Sequence, residues 1–473
     1  VGVNFFPGHL IYVPAESNEF WLLAGRTAIY IFDGAVWTDI SSVAGYASIG
    51  ADDELLWNSC LLGSIPIVAN PQHFPEYWNP QQASQVMQPL MFDAVNDWNA
   101  KGYTFKIIRA HKSYLFALDL FEGVDHFPDG FRWSHPASAN GLPPTWDETD
   151  NAFLAGKGYL GGDGGTIMDG LSLRDSFCIY SEGAIDILDS TNDEAVWRRR
   201  ELSFTTGLLS KEALVEVKGK HLFLADGDIV GNNGNRIESI AHNRIRARIR
   251  QVSSENLARS YAVRNDSAKE AWFCVPEEGA EYANLAFIYN WKDDSWAIRD
   301  LPYESGVSGV SYASYGSQRA PATTWAQKTT TWASDSTVWG SAGRTPLDDT
   351  IVGCEPQTGS IVILDPLDDP DEPYQSKIER TDIAVAGQRQ VTTITRVYPH
   401  MDGTQPVQIE FGSQAYAGAP VQWKPAVTFN PNTDRKVDIR TTGELHAYRI
   451  NSDGTGQWAL SGMTIEFEFN GLR

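Results

Sequence analysis

Cysteine is scarce in this chain: four in 473 residues, Cys60, Cys178, Cys274 and Cys354, far apart and in no CxxC pair. A disulfide framework or zinc knuckle is therefore not expected, and reduced, buried thiols are. No apolar run reaches the ~18 residues that a membrane-spanning helix needs. No signal peptide is expected, and because the chain opens on Val1 an upstream piece is expected. Familiar catalytic motifs are missing too: there is no HExxH, GxSxG or P-loop, and no GxGxxG after a strand. The nine histidines are scattered, none at metal-ligand spacing with another. No enzyme activity and no cofactor are expected.

Basic residues are also few, 37 against 60 Asp and Glu, for a net charge of −23. The deficit is uneven. Residues 374–473 carry ten Lys/Arg and ten Asp/Glu, so the surplus lies before them, as 27 basic against 50 acidic residues. Such a body repels nucleic acid instead of gripping its phosphates. On charge alone, simple solubility in a salty or marine setting is the plainer reading.

What the chain does have is aromatic strands and turns: 16 Trp and 41 Gly, with 42% hydrophobic residues to fill large cores. Phe20–Ala24 and Ala28–Phe32 are apolar runs split by Gly25-Arg26, and Asp33-Gly34 then turns the chain into Val36–Ile40. The pattern of strand, turn and Trp-bearing strand returns at Leu285–Leu301. Further echoes run from Ser176–Tyr180 into Ala184–Leu188, from Lys220–Ala225 into Asp228–Val230, and from Gly353–Pro356 into Ser360–Leu364. Each resembles the outer hairpin of one propeller blade, which cannot bury its faces without neighbours. The reading is all-β: an irregular β-propeller over 1–373, with insertions at about 70–104 and 120–170. Stacked sandwiches are the competing architecture. Helices are expected only at Gln82–Ala100 and Ile240–Val252.

The acidic, proline-rich stretch DPLDDPDEP (365–373) marks the domain boundary. Beyond it, seven alternating strands within 374–473 read as a C-terminal β-sandwich. They are Ser376–Val385, Gln390–Pro399, Val407–Phe411, Val421–Phe429, Lys436–Arg440, Glu444–Asn451 and Met463–Phe469.

Three stretches bear on binding. Arg244, Arg246, Arg248 and Arg250 form a candidate inter-subunit basic strip, or simply a solvated helix face. Asp226, Asp228, Asn232 and Asn233 sit in DGDIVGNNGN, a blade turn that weakly resembles a calcium loop but lacks its distal Glu; Asp163 in GGDGG is weaker still. Trp325, Trp332 and Trp339, seven apart, are buried anchors or a carbohydrate-binding row.

Several phrases taken together resemble the tail nozzle or hub proteins of short-tailed bacteriophages, which are related to the proteins that retain packaged DNA. They are FWLLAGRTAIYIFDGAVWTDIS (20–41), IPIVANPQHFPEYW (65–78), FRWSHPASANGLPPTWD (131–147), EAWFCVP (270–276), NLAFIYNWKDDSWAIRDLP (284–302), TTTWASDSTVW (329–339) and GELHAYRINSDGTGQWALSGMTIEFEFNG (443–471). The resemblance implies a virion structural protein, a ring of commonly six copies continuing the DNA channel, assembled in the host cytoplasm. Its implied partners are itself, a portal-adaptor or tail-tube protein, tail fibres or spikes, and transiting double-stranded DNA without tight binding. The sandwich would be the ring-docking domain. Asp368, Asp369, Asp371 and Glu372 are candidates for an acidic loop near the channel, or for a plain solvated linker. Two other readings stand beside it: a secreted propeller that binds or cleaves glycans, and another virion part such as a fibre-attachment protein.

Overall fold

The computed structural model describes residues 5–472 apart from 16–18, 35, 48, 51–55, 82–85, 140, 163, 192–195, 242–244, 251, 253–254, 302–308, 318–348, 357–358, 365–374, 387–389, 453, 455 and 457. The chain divides into two compact units, Val1–Asp365 and Pro366–Arg473.

In the first unit the strand-turn pattern becomes seven antiparallel meanders, each paired in chain order. Blade 1 is β1 (Pro7–Pro14), β2 (Glu19–Gly25), β3 (Ile29–Phe32) and β4 (Trp37–Asp39). Blade 2 is β5 (Asn58–Leu62), β6 (Ile65–Asn70), β7 (His73–Tyr77) and β8 (Gln88–Pro89). Blade 3 is β9 (Tyr103–His111), β10 (Tyr114–Glu122), β11 (Asp125–Trp133) and β12 (Gly156–Tyr159). Blade 4 is β13 (Ile167–Leu173), β14 (Ser176–Ser181), β15 (Ile185–Ser190) and β16 (Trp197–Ser203). Blade 5 is β17 (Leu214–Val217), β18 (Lys220–Ala225), β19 (Asp228–Asn232) and β20 (Ile237–Ser239). Blade 6 is β21 (Tyr261–Asn265), β22 (Glu270–Val275), β23 (Leu285–Asn290) and β24 (Ser295–Asp300). Blade 7 has three strands among the described residues, β25 (Tyr312–Ser317), β26 (Asp349–Glu355) and β27 (Ser360–Ile363).

The first strands of successive blades touch in order, and β25 meets β1 again, so the sheets form a closed ring with these strands innermost. A blade has apolar residues on both faces and needs a neighbour on each side. Every seam supplies one. Leu22, Ile31, Trp57 and Val68 join blades 1 and 2, Ile67, Phe105 and Ile108 blades 2 and 3, and Phe116, Phe177 and Ile179 blades 3 and 4. One continuous cluster with Tyr180, Phe223 and Phe273 runs through blades 4 to 6, and Trp272 and Ile351 join blades 6 and 7. Leu10, Tyr12, Leu23, Val352 and Cys354 close the last seam, between blades 7 and 1. Polar bonds secure the same seam: Ser311 Oγ donates to Pro7 O at 2.9 Å, and Trp21 Nε1 to Ser317 O at 2.9 Å. All four thiols are buried and unpaired. Burial pushes Cys60, Cys178 and Cys274 up to about 12.

Turn chemistry sets the registers. Lys218 and Gly219 both have positive φ, 50° and 73°, and form the two-residue loop between β17 and β18 with Val217 opposite Lys220. Two positive φ values define the hairpin turn whose twist matches its strands.

The second unit is two facing sheets, a β-sandwich. One has the order β28 (Ser376–Ile383), β34 (Leu445–Ser452), β30 (Val407–Gln414), β31 (Gln422–Trp423), with β32 (Val427–Phe429) also on β30. The other is β33 (Val437–Gly443), β29 (Gln390–Gly403), β35 (Trp458–Leu472). Ile394, Val397, Ile409, Phe411, Val437 and Ile450 fill the space between them. The single strand expected over Val421–Phe429 is two short ones, because Pro425 between them has no N–H to donate.

Among the described residues, both expected helices shrink to four residues, α1 (Trp98–Lys101) and α2 (Arg246–Ile249). In the first, Gln88–Pro89 pairs as a strand, and the Asp93 carboxylate accepts from the N–H groups of Val95 and Asn96 in a tight turn. In the second, Ala241, Ile245 and Ile249 are the buried apolar residues among those described, a small apolar surface for a longer helix. The segments read as insertions largely supply blade strands: 70–104 contains β7 and β8, and 120–170 contains all of β11 and β12.

The closing seam has little slack. A Cβ on Gly316 would stand 2.3 Å from the Tyr12 ring. Gly316→Ala is expected to lower stability by about 1–3 kcal/mol through overpacking, measured as a lower urea midpoint with unchanged m-value.

Candidate functional site at the propeller axis

Inner strands are apolar runs, so the charged residues within them stand out. β9 reads YTFKIIRAH, and Arg109 follows the fully buried Ile107 and Ile108. β13 carries Asp169 between Met168 and Gly170, and Glu212 precedes β17. Ring closure brings these side chains to one place.

Arg109 is the hub. Its Nη2 donates to Asp169 Oδ2 at 2.7 Å, its Nε to Gly170 O at 3.1 Å, and its Nη1 to Asn58 Oδ1 and Ser59 O at 3.0 Å each. Glu212 Oε1 lies 3.7 Å from Nη2 and accepts from Asn58 Nδ2. One guanidinium therefore joins blades 2, 3 and 4 and the entry to blade 5. From blade 1, His9 Nε2 pairs with Ser59 Oγ at 2.7 Å, and the His9 ring lies 4.3 Å from that of Tyr312 in blade 7. Lys211 Nζ donates to Trp57 O at 2.7 Å. Glu212 has φ of 63°, a left-handed conformation that costs a non-glycine residue energy. In that position its N–H donates to Asp169 Oδ2 at 2.9 Å. A cavity of about 280 Å³ remains, lined by Ser59, Arg109, Asp169, Glu212, Leu214 and Tyr312 among others.

The electrostatics follow from burial plus neighbours. Burial works against a charged Arg109, but Asp169 and Glu212 outweigh it and hold the guanidinium protonated. Burial, with Lys211 and Arg109 nearby, keeps His9 neutral by lowering its pKa well below 6.5. Burial also brings Lys211 down to about 8 despite Glu212. Arg109 and Lys211 balance Asp169 and Glu212, and the donors are largely spent on these acceptors. The arrangement suits a charge-neutral lock at the axis.

Nothing in the sequence reading singled out this cluster. The available clue was a charged residue inside an otherwise apolar strand. Of the residues that were singled out, Arg244, Asp163, Trp325, Trp332 and Trp339, and the loop Asp368, Asp369, Asp371 and Glu372, lie outside the described residues. Arg246 is paired, its Nη2 2.5 Å from Asp228 Oδ2, whereas Arg248 and Arg250 are exposed. Asp228 and Asn232 do not converge: Asp228 faces Arg246 and Ser239, and Asn232 donates to Tyr180 Oη. Among the described residues no group of three His, Cys, Asp or Glu is placed to hold a metal ion, and no helix is long and apolar enough to cross a membrane.

A second buried polar set pins blade 4 to both neighbours. His111 Nδ1 pairs with Ser172 Oγ at 2.9 Å, while His221 Nε2 donates to Ser172 O at 2.9 Å and its Nδ1 accepts from Tyr180 Oη at 2.8 Å. Burial lowers both histidines to about 4. Their unfolded value is near 6.5, so the stability from their neutral forms is complete above that pH. It is lost as pH falls through about 4. Melting temperature should drop across this window, and His221→Gln should flatten the drop.

Arg109→Met leaves Asp169 and Glu212 without their main counter-charge. The expected cost is about 3–5 kcal/mol, as for breaking a buried ion pair, read from denaturant unfolding. A loss below about 1 kcal/mol, the level of an exposed pair, would contradict the lock.

No family model and no curated protein matches this chain. Solved structures share limited likeness. The extracellular domain of the one-component system BT4673 from B. thetaiotaomicron aligns at TM-score 0.40 and 9% identity, over 83% of this chain and 43% of that one. Raptor of Chaetomium thermophilum aligns at TM-score 0.40 and 11% identity, over 67% of this chain and 26% of that one. The chain thus spans less than half the length of either.

Proposed function

We propose that this chain is a structural subunit of a phage tail, a nozzle or hub protein without catalytic activity. In this reading, copies form a ring, most simply a hexamer, that continues the DNA channel and helps retain and then release the genome. The observation that carries it is where the family-like phrases fall. Five of them fall on paired strands: 20–41 covers β2 to β4, 65–78 covers β6 and β7, 270–276 and 284–302 cover β22 to β24, and 443–471 covers the sandwich's β34 and nearly all of β35, whereas 131–147 takes only the end of β11 and then leaves the sheet. The phrase 329–339 lies outside the described residues.

The axis constrains where DNA could run. A cavity of about 280 Å³ lined by Arg109 and its partners is too small to admit a duplex, whose major groove alone is about 12 Å wide. The conduit would therefore lie between copies, walled by their acidic outer surfaces, which hold phosphates weakly. The sandwich suits docking to a portal-adaptor or tail-tube ring. β35 is an edge strand pairing only with β29 among the described residues, and it exposes Phe467 and Phe469. An open edge with apolar side chains is a common assembly element.

Negative-stain images of the full chain should show closed rings, and a virion map should place them at the tail. A map showing the chain as isolated fibres would sink the reading.

A further inference from the structure

The seam between blades 7 and 1 is packed near the axis and open farther out. A cavity of about 330 Å³ lies there. Trp21, Phe32 and Trp37 of blade 1 line one side, Val352, Ile361 and Ile363 of blade 7 the other, and Glu19 its edge.

Strand register builds the aromatic side. Tyr12, Trp21, Phe32 and Trp37 stand directly opposite one another on β1 to β4. Residues paired in this way share one face of the sheet, so the four rings form a row across blade 1. The inner half of the row is core: Tyr12 and Trp21 are buried, and Trp21 Nε1 is spent on Ser317 O. The outer half is not. Phe32 and Trp37 stay half-buried, their rings stacked with centroids 5.0 Å apart. Facing them, Ile363 is 43% exposed.

Glu19 belongs to the same face. It pairs with Pro14, two residues along from the Tyr12–Trp21 pair, so strand alternation points it the same way as Trp21. It is half-buried, and among the described residues no hydrogen bond or ion pair reaches its carboxylate. A carboxylate partly withdrawn from water favours a cationic partner. The surroundings supply none. Among the described residues, blades 1 and 7 hold Glu19, Asp33, Asp39, Asp349 and Glu355 against one Lys or Arg, Arg26, which follows the far end of β2.

We propose that this cavity binds an organic cation, an ammonium group carried on an apolar body. The ammonium meets Glu19 and the rings of Phe32 and Trp37, whose π-electrons attract cations. The apolar body lies along Val352, Ile361 and Ile363, as in pockets where a few polar groups orient a largely apolar ligand. The site is independent of ring assembly.

The test titrates the full chain with choline, with benzyltrimethylammonium, and with the neutral isostere of choline in which a tert-butyl group replaces trimethylammonium. Calorimetry reads the affinity. At least one of the two cations should bind saturably, with a Kd of about 1 mM or below. Glu19→Gln should weaken it about fivefold or more, as expected for losing an ion pair. Trp37→Ala should weaken it by a similar factor, about fivefold, through the lost ring. Both variants are checked for an unchanged melting temperature, and the neutral isostere should bind more weakly than choline. An isostere that binds as tightly as choline, or a Glu19→Gln variant of unchanged affinity, would reduce the site to an apolar cleft and overturn the proposal. Absence of saturable binding by both cations would overturn it as well.

Discussion

The Arg109–Asp169 pair, 2.7 Å apart at the propeller axis, is the interaction on which the arrangement of the inner strands most depends. A guanidinium this deep is stable only with its charge matched and its donors used. Asp169 and Glu212 match the charge; Asn58, Ser59 and Gly170 take up the donors. Because these partners come from blades 2, 4 and 5, satisfying one side chain sets the spacing of several sheets. The left-handed backbone at Glu212 persists because its N–H has Asp169 as acceptor.

Outward from the axis the seams become apolar, each joining two blades with its own set of aromatic and aliphatic side chains. Polar groups appear there where they can be paired, as with Ser172 held between His111 and His221. The seam between blades 7 and 1 differs in kind, since it joins residues about 300 positions apart. There Gly316 lets the Tyr12 ring approach the backbone, and Trp21 and Ser311 add hydrogen bonds. Long-range closure of this sort carries a loop-entropy cost that the other seams, between consecutive blades, avoid.

At the axis the inner strands meet through their own side chains, around a cavity of about 280 Å³. Residues 1–100, which build blades 1 and 2, carry ten Asp or Glu and a single basic residue, Arg26. The sandwich, with zero net formal charge over 374–473, offers a long edge strand.

The sequence by itself determined the strands and much of their grouping. Alternating apolar residues, Trp-bearing hairpins and Gly or Asp turns are local patterns, and local sterics and burial decide them. The all-β class, the blade hairpins and the sandwich strands were legible for that reason, as was the composition break at DPLDDPDEP. Helices were overread where Ile spacing or a polar run imitated helical periodicity, because a short chain segment cannot show how little surface its neighbours will cover. Only the tertiary structure decided how many blades the ring holds and what meets at its axis. His9, Asn58, Arg109, Asp169 and Glu212 are spread over some two hundred residues. No spacing rule connects them, because they meet through the closing of the ring.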